Sequence, residues 1–308
     1  DTAAGQTFTV ASKVTGTGGL TVTDTGTLVL SNTSNDYSGG TTISGGGTLS
    51  ISSDAVLGNT SGGVTFDAGI LAASDDFTLS SGRTVTLNAG GGTFDALSGK
   101  TLAIAGQVTG SGALAIGAAG TVVLDNTGNN YSGSTTVSGG ATLSVASASN
   151  LGSTSGLVLD NGTFAATATF TVSSDVSLGA GGGTVDTAGG KTLTLSGQMT
   201  GAGVLTVADT GTLVLSNTGN NYSGGTTVNS GATLQGDTSS LQGAIADNGA
   251  VVFSQSTTGT YAGLLSGTGT VTIDGGGTVT LGNTGNSYAS TTVKGGSTLA
   301  VDAVGEIG

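Results

Sequence analysis

A segment that recurs four times constrains the fold of this 308-residue chain more than any other feature. Its copies begin at Gly26, Gly120, Gly211 and Gly277, so the first two intervals are nearly equal and the third is clearly shorter. The first copy reads Gly-Thr-Leu-Val-Leu-Ser-Asn-Thr-Ser-Asn-Asp-Tyr, and a shorter Thr-Gly-x-Gly echo precedes each of the first three copies. A long internal period indicates a repeat architecture, in which each unit buries its apolar face on the next.

A finer period of about two dozen residues lies within the interval from one copy to the next. Strand-like starts fall at Gly26, Gly47, Gly69 and Gly92, in nearly equal steps. The third interval between copies is shorter than the second by close to one such step. Loss of a whole step preserves strand pairing, whereas loss of half a step would shift every later strand out of register.

The composition indicates an all-β chain. Gly, Thr, Ser, Val and Asp are weak helix formers, and short stretches such as Thr48–Ile51 alternate apolar and polar residues. Glycine-rich runs between these stretches supply corners, because glycine accepts positive φ. We therefore expect a parallel β-helix, or solenoid, of roughly 14 coils of about 20–28 residues, with no disulfides because the chain has no Cys. An antiparallel sandwich is the main alternative, but it does not explain the loss of a whole step.

The expected organisation is a single β-helix over residues 1–308. Its internal repeat units are predicted at about 14–107, 108–198, 199–264 and 265–308, the last of them incomplete.

The repeats resemble the autotransporter-associated β-strand repeat, found in passenger regions of Gram-negative type V secreted proteins. The similar segments are Thr25–Ile51, Gly120–Val145, Gly211–Leu234 and, more loosely, Gly277–Val301. The resemblance implies a right-handed parallel β-helix that is exported across the outer membrane and lies outside the cell or on its surface. It also implies a parent protein with an outer-membrane translocator barrel, whose long strands do not occur in this sequence.

Composition excludes several classes of function. Without Cys or His, neither thiolate or imidazole metal sites nor Ser-His-Asp relays can form. Five basic residues against 18 acidic ones leave no cationic surface for nucleic acid or anionic lipid. No apolar run is long enough to span a bilayer and no signal peptide is recognisable, so we expect a mature fragment without a membrane span. We expect no cofactor and no bound metal.

The repeat motif supplies two sets of candidate structural residues. Its tyrosines could form a row that stacks on sugars, but copies about four coils apart, on the order of 20 Å, cannot share a small ligand. We therefore expect each ring to pack over a corner while the motif asparagines satisfy turn amides. The predicted structural residues are Tyr37, Tyr131, Tyr222, Tyr288, Asn32, Asn126, Asn217 and Asn283.

A few charged residues are candidates for a catalytic or calcium-binding site. A carbohydrate-active enzyme could use the adjacent Asp75 and Asp76, with Arg83, the sole arginine, as the base of a lyase. The corresponding stretch of the next repeat lacks this arginine, so we expect Arg83 in a solvated turn of variable length. Lys100 and Lys191 begin equivalent strands and are expected to be exposed. We interpret most of the Asp residues as turn formers, although loose or specific calcium binding is an alternative.

The sequence thus predicts a non-catalytic structural or adhesive segment that acts as a stalk or contact surface. Expected partners are surface glycans, surface proteins or identical chains, with no nucleic acid. One alternative is an extracellular filament subunit that stacks head to tail through open β-helix ends, because neither chain end carries an amphipathic cap. A polysaccharide-acting β-helix enzyme is the other.

Overall fold

In the computed structural model, which describes residues 2–301 and 307, the chain forms two compact units, Asp1–Leu157 and Val158–Gly308. Each unit is a parallel β-solenoid, and about 14 coils are counted over both. The all-β fold with stacked parallel strands is therefore confirmed. Whether the two units continue one another as a single β-helix stays a prediction.

The first unit contains sixteen complete strands and two 3-10 helices, η1 and η2. They are β1 (Thr7–Val10), β2 (Leu20–Val22), β3 (Thr27–Leu30), β4 (Thr41–Ser44), β5 (Thr48–Ile51), η1 (Asp54–Leu57), β6 (Val64–Asp67), β7 (Gly69–Ala73), β8 (Phe77–Leu79), β9 (Val85–Leu87), β10 (Gly92–Ala96), β11 (Thr101–Ile104), β12 (Val108–Gly110), β13 (Leu114–Gly117), β14 (Thr121–Leu124), β15 (Thr135–Ser138), β16 (Thr142–Val145) and η2 (Ala148–Leu151).

Strand β17 (Leu157–Asp160) begins at the last residue of the first unit and otherwise belongs to the second. The remaining strands are β18 (Gly162–Ala166), β19 (Phe170–Val172), β20 (Val176–Leu178), β21 (Gly183–Thr187), β22 (Thr192–Leu195), β23 (Met199–Gly201), β24 (Leu205–Ala208), β25 (Thr212–Leu215), β26 (Thr226–Val228), β27 (Thr233–Gly236), β28 (Ile245–Asp247), β29 (Ala250–Ser254), β30 (Thr258–Tyr261), β31 (Leu265–Ser266), β32 (Thr270–Asp274), β33 (Thr278–Leu281), β34 (Ser290–Val293) and β35 (Thr298–Ala300).

Every described pairing between these strands is parallel, and each strand lies on the equivalent strand of the next coil. In the first unit one sheet has the order β1-β3-β5-β7-β10-β13-β15, a second β2-β4-β6-β9-β12 and a third β8-β11-β14-β16. In the second unit the longest sheets are β19-β22-β25-β27-β29-β32-β34 and β18-β21-β24-β26-β28-β31. Two residues that are one glycine-to-glycine step apart in the sequence therefore lie in adjacent coils, on the order of 4.8 Å apart.

The strand register explains the shorter third repeat. From Thr27 the chain reaches the equivalent Thr121 in four coil steps, through β5, β7 with β8, and β11. From Thr212 it reaches the equivalent Thr278 in three, through β27 and β29 with β30. The third repeat thus has one coil fewer than the first, and its later strands keep their alternation of buried and exposed residues.

The core of each unit is made of columns of apolar side chains that repeat once per coil. Leu28, Leu49, Leu71 and Phe94 stack in one such column, and the last three are fully buried. Phe66 and Phe94 meet edge to face with ring centroids 5.2 Å apart. Burial of a side chain of this size contributes about 1.5–3 kcal/mol, so stability is distributed along the stack.

Among the described residues, no helix is both long and apolar enough to cross a membrane.

Candidate functional site

The four motif tyrosines point into the solenoid core. Each is at most 4% exposed, and each hydroxyl contacts a threonine hydroxyl three or four residues later. The oxygen–oxygen distances are 2.7 Å for Tyr37, 2.9 Å for Tyr131, 3.0 Å for Tyr222 and 2.8 Å for Tyr288. Burial raises the pKa of Tyr131 to about 12. Rings placed in this way pack the corner of the coil and present no face on which a sugar could stack.

The first motif asparagine of each copy closes a turn and joins it to the preceding coil. Asn126 accepts a hydrogen bond from the Gly128 backbone N–H at 2.7 Å and donates to the Ala105 carbonyl at 2.9 Å. The equivalents Asn32, Asn217 and Asn283 make the same pair of contacts. The side-chain amide of this residue thus binds a backbone carbonyl one coil away.

The second motif asparagine holds three successive coils together. Asn129 accepts from the Val108 N–H at 2.8 Å and donates to the Asn150 carbonyl at 2.7 Å, although those residues are 21 positions before and after it. Asn35 and Asn220 bridge their coils in the same way. All three are buried. Turn contacts alone were predicted for these asparagines, but their recurrence two residues before each motif tyrosine is the pattern that accompanies the contact across coils.

Arg83 contradicts the expectation of a solvated turn, because its side chain is completely buried. Its Nε donates to Asp54 Oδ1 at 2.9 Å, and its Nη1 donates to the Gly62 carbonyl at 2.5 Å. Longer contacts of 3.3–3.4 Å reach the carbonyls of Leu57, Gly58 and Asn59. The guanidinium therefore satisfies the carbonyls that follow η1, groups that a helix end otherwise leaves unpaired.

The adjacent acids Asp75 and Asp76 lie on the surface beside Lys100. Lys100 Nζ is 2.7 Å from Asp75 Oδ1 and 3.8 Å from Asp76 Oδ2. The hydrogen bond from this lysine lowers the pKa of Asp75. Arg83 instead pairs with Asp54, so the structure does not bring the arginine and the two acids into one site. Lys191 is exposed and Lys100 half-buried at the equivalent strand starts.

The described residues contain no group of three or more acidic side chains placed to hold a metal ion. Asp95 and Asp186, which occupy equivalent strand positions, face outward and are half-buried. Burial raises the pKa of both, and nearby Asp209 adds to the effect at Asp186. A carboxylate whose protonated form is favoured is a weaker cation ligand, and each of these stands without a second acid in its own strand.

Asp247 is the most unusual side chain of the second unit. It is fully buried, its Oδ1 accepts from the Gly249 N–H at 2.9 Å, and its Oδ2 has no hydrogen-bond partner among the described residues. Leu87 and Leu178 occupy the equivalent position in the two earlier repeats, each directly before the coil that carries the Thr-Gly-x-Gly echo. Burial raises the pKa of Asp247 to about 6, although the Gly249 N–H opposes the shift.

An apolar surface is open at the first coils of the first unit. Phe8 is 58% exposed, and it lines a cavity of about 220 Å³ together with Val10, Leu20, Val22 and Leu28. Strand β1 is paired with β3 on one edge only, and β2 with β4 on one edge only. An unpaired strand edge beside exposed apolar side chains is the usual template for addition of another strand.

These features define a class of protein: a β-solenoid repeat protein whose recurring side chains serve coil-to-coil contact. Residues 20–51, 119–145 and 205–235 match the passenger-associated transport repeat. The predicted resemblance to the repeats of autotransporter passengers is thereby confirmed in these three segments, and the repeat together with the β-solenoid fold supports an autotransporter passenger-like structural segment. Proteins with this repeat are secreted or displayed at the cell surface. No curated protein and no solved structure matches the chain.

Proposed function

We propose that the chain is a non-catalytic stalk or contact segment of an autotransporter-like protein, located outside a Gram-negative cell or on its surface. The proposal rests on the burial and the hydrogen bonds of the motif side chains. Residues that recur with the repeat, such as Asn129 and Tyr131, are buried and bonded to their own or neighbouring coils. Side chains selected for a ligand would instead converge on an accessible cleft.

Two further observations support the non-catalytic part of the proposal. Arg83, the residue considered as the base of a lyase, is buried in contacts with Asp54 and with backbone carbonyls. The paired acids Asp75 and Asp76 are held by Lys100 on an open surface. Turnover of a bacterial or host polysaccharide by the purified chain, lost in Asp76→Asn, would contradict the proposal.

The stalk role can be tested by changing the number of coils. Removal of the segment from Gly162 to Gly182, one full step, should leave a folded, protease-resistant chain, because Gly183 then follows Asn161 in the same register. Removal of only half of that segment should destroy resistance, because every later strand would turn its apolar side chains to solvent. If displayed on cells, the full-step variant should present a terminal epitope as efficiently as the original. Loss of display in both variants would contradict a spacer role.

Outward threonines form the contact surface in this proposal. Thr21, Thr42, Thr65, Thr86 and Thr109 face outward in adjacent strands of one sheet. Such a face carries hydroxyls and methyl groups with little charge, which suits hydrogen bonding to neutral glycans. Binding to a panel of neutral and acidic glycans measures this directly, and replacement of Thr65 by Lys should weaken any binding found. Equal binding by this variant would place the contact elsewhere.

The exposed apolar side chain of Phe8, beside the cavity lined by Val10 and Leu20, favours a second function, assembly of a filament from identical chains. In that case the purified chain should sediment as a concentration-dependent series and form fibres of uniform width in electron micrographs. Phe8→Asp should abolish the fibres and leave the folded monomer. Monodisperse particles at all concentrations would contradict the assembly function and leave the stalk function intact.

A further inference from the structure

The chain contains the tripeptide Asp-Asn-Gly twice, at Asp160–Gly162 and at Asp247–Gly249. These are the two places where Asn precedes Gly. At such a pair the backbone nitrogen of glycine can attack the side-chain amide carbon of the asparagine, because glycine has no side chain to obstruct the approach. The identical tripeptides lie in different surroundings, so the structure provides a comparison in which only the fold differs.

At the second tripeptide, three groups are arranged around this reaction. The Gly249 N–H, the nucleophile, donates to Asp247 Oδ1 at 2.9 Å, which is within reach for proton transfer. The side-chain carbonyl oxygen of Asn248, the electrophile, receives contacts at 3.4 Å from both the backbone N–H and the hydroxyl of Thr268. Donors in this position stabilise the negative charge that develops on the oxygen during attack.

The surroundings of Asp247 keep it free to act as a base. Within the part of the chain that the structure describes, its Oδ2 has no hydrogen-bond partner, and a side chain at Gly269 would collide with both carboxylate oxygens. Strands β26 and β31, which flank β28, carry no charged residue. The ionisable groups of the adjoining coils are Asp237, Asp274, Tyr222 and Tyr261, and none contributes to the shift of its pKa. Asn248 itself is exposed, so water can reach the product.

At the first tripeptide the same three residue types make different hydrogen bonds. The Asp160 carboxylate is exposed and accepts from the Gly181 N–H of the next coil at 2.7 Å. Gly162 is buried in β18, where its backbone pairs in register with Gly183. Asn161 has a positive φ of 59°, and its N–H donates to the Gly182 carbonyl. The acid is thus bonded to another amide, and the glycine nitrogen lies within a sheet.

We propose that Asn248 is a site of self-catalysed deamidation, with Asp247 as the general base, Gly249 N as the nucleophile and Thr268 as the donor to the amide oxygen. Asp247 takes the proton of the Gly249 N–H while the nitrogen forms a bond to Asn248 Cγ. The Cγ–Nδ2 bond then breaks, and the proton returns from Asp247 to the departing nitrogen, which leaves as ammonia. Water opens the resulting succinimide to aspartate or isoaspartate at position 248.

The reaction changes the corner between β28 and β29 in two ways. It adds a carboxylate directly after the buried Asp247, and the isoaspartate product adds a methylene to the backbone path. Because neighbouring coils depend on exact strand register, either product loosens the stack at this coil. The modification is therefore a slow ageing reaction that marks one coil of the solenoid and spares the equivalent tripeptide.

The test follows both asparagines in the full folded chain during incubation at neutral pH. Peptides that contain position 161 or 248 are separated, and their asparagine, aspartate and isoaspartate forms are quantified by mass spectrometry and chromatography. We expect conversion at Asn248 at least about tenfold faster than at Asn161, since a positioned general base contributes about 10²–10⁴ in rate. In denaturant both sites should react at similar rates, because the tripeptides are identical.

Two variants separate the role of Asp247 from folding. Asp247→Asn keeps the size of the side chain but removes the base, and should slow conversion at Asn248 on the order of a hundredfold. The matched Asp160→Asn should leave the rate at Asn161 unchanged. In the folded chain the rate at Asn248 should show a titration step near pH 6, where Asp247 loses its proton, in addition to the hydroxide-dependent rise that both asparagines show in denaturant.

Equal native rates at the two sites, or a rate at Asn248 below its rate in denaturant, would overturn the proposal. The first result would show that the surroundings have no influence. The second would show that the contact from Gly249 to Asp247 protects the peptide. Unchanged conversion in a folded Asp247→Asn variant would likewise refute the role of the base.

Discussion

The buried carboxylate of Asp247 should make the second unit less stable at neutral pH than at acid pH. Burial raises its pKa from 3.8 to about 6 in the folded chain. Between these two values the folded state binds more protons than the unfolded state, so the free energy of unfolding falls as the pH rises. Because one pKa unit corresponds to about 1.4 kcal/mol, the ionised group costs the folded state about 3 kcal/mol at pH 7.

Replacement of Asp247 by Asn removes this titration and preserves an oxygen that can accept from Gly249 N–H. We expect Asp247→Asn to raise the free energy of unfolding by up to about 3 kcal/mol at pH 7 and to have little effect below pH 4. Urea denaturation of freshly prepared protein measures the change. With a slope of about 1–3 kcal/mol per molar urea, the midpoint should rise by up to about 1–3 M at pH 7.

The control for this experiment is Asp125→Asn, which removes a negative charge from an exposed position. It should change the midpoint by little at either pH, because a surface substitution away from special contacts usually alters stability by less than about 0.5 kcal/mol. The reasoning would be refuted if Asp247→Asn had the same effect at pH 4 and pH 7. It would also be refuted if the variant were less stable than the original at pH 7.

Three further substitutions test the contacts that hold the coils together, each by urea denaturation. Arg83→Met should destabilise the chain by about 3–5 kcal/mol, because it leaves a mostly buried Asp54 without its partner, and a double-mutant cycle with Asp54→Ala should show strong coupling. Asn129→Ala should cost about 2–3 kcal/mol by leaving a buried amide and a buried carbonyl unpaired, and more than Asn126→Ala, whose contacts are nearer solvent. Tyr131→Phe should cost about 1 kcal/mol. If Asn126→Ala proved the more damaging of the two asparagine variants, the proposed bridging role would be wrong.

The periodic features of the sequence predicted the periodic features of the structure. Alternation within segments such as Thr48–Ile51 predicted the strands, and the regular glycine-to-glycine steps predicted the pairings of Thr27 with Thr48 and of Leu49 with Leu71. These inferences succeed because a solenoid converts sequence period directly into spatial stacking. The buried tyrosines follow the same rule, since their spacing showed that they could not cooperate on one small ligand.

Arg83 and Asp247 escaped prediction because each departs from the repeat. The partner of Arg83 is Asp54, which lies in an earlier coil, and neither residue alone indicates burial. The next repeat has Ser174 and Ala148 at these two positions, so both charges are absent there together. Such joint replacement is what a buried ion pair predicts, because loss of one member costs far more than loss of both. A search for two positions that change together from one repeat to the next would therefore have predicted that Arg83 is buried.

Asp247 presents the opposite case, a charge with no compensating partner. It stands where Leu87 and Leu178 stand in earlier repeats, and the turn residues that follow it made it look like another turn-forming aspartate. The raised pKa predicts that this carboxylate lowers the stability of the coil at neutral pH by up to about 3 kcal/mol, so packing gives no reason for it. An acid that is costly to the fold and hydrogen-bonded to the nucleophile of an Asn-Gly pair is better explained by its chemistry than by packing. The gain in stability and the slower deamidation of Asn248 should therefore appear together in the one variant, Asp247→Asn. A gain in stability without slower deamidation would show that Asp247 only destabilises the third repeat and does not act as a base.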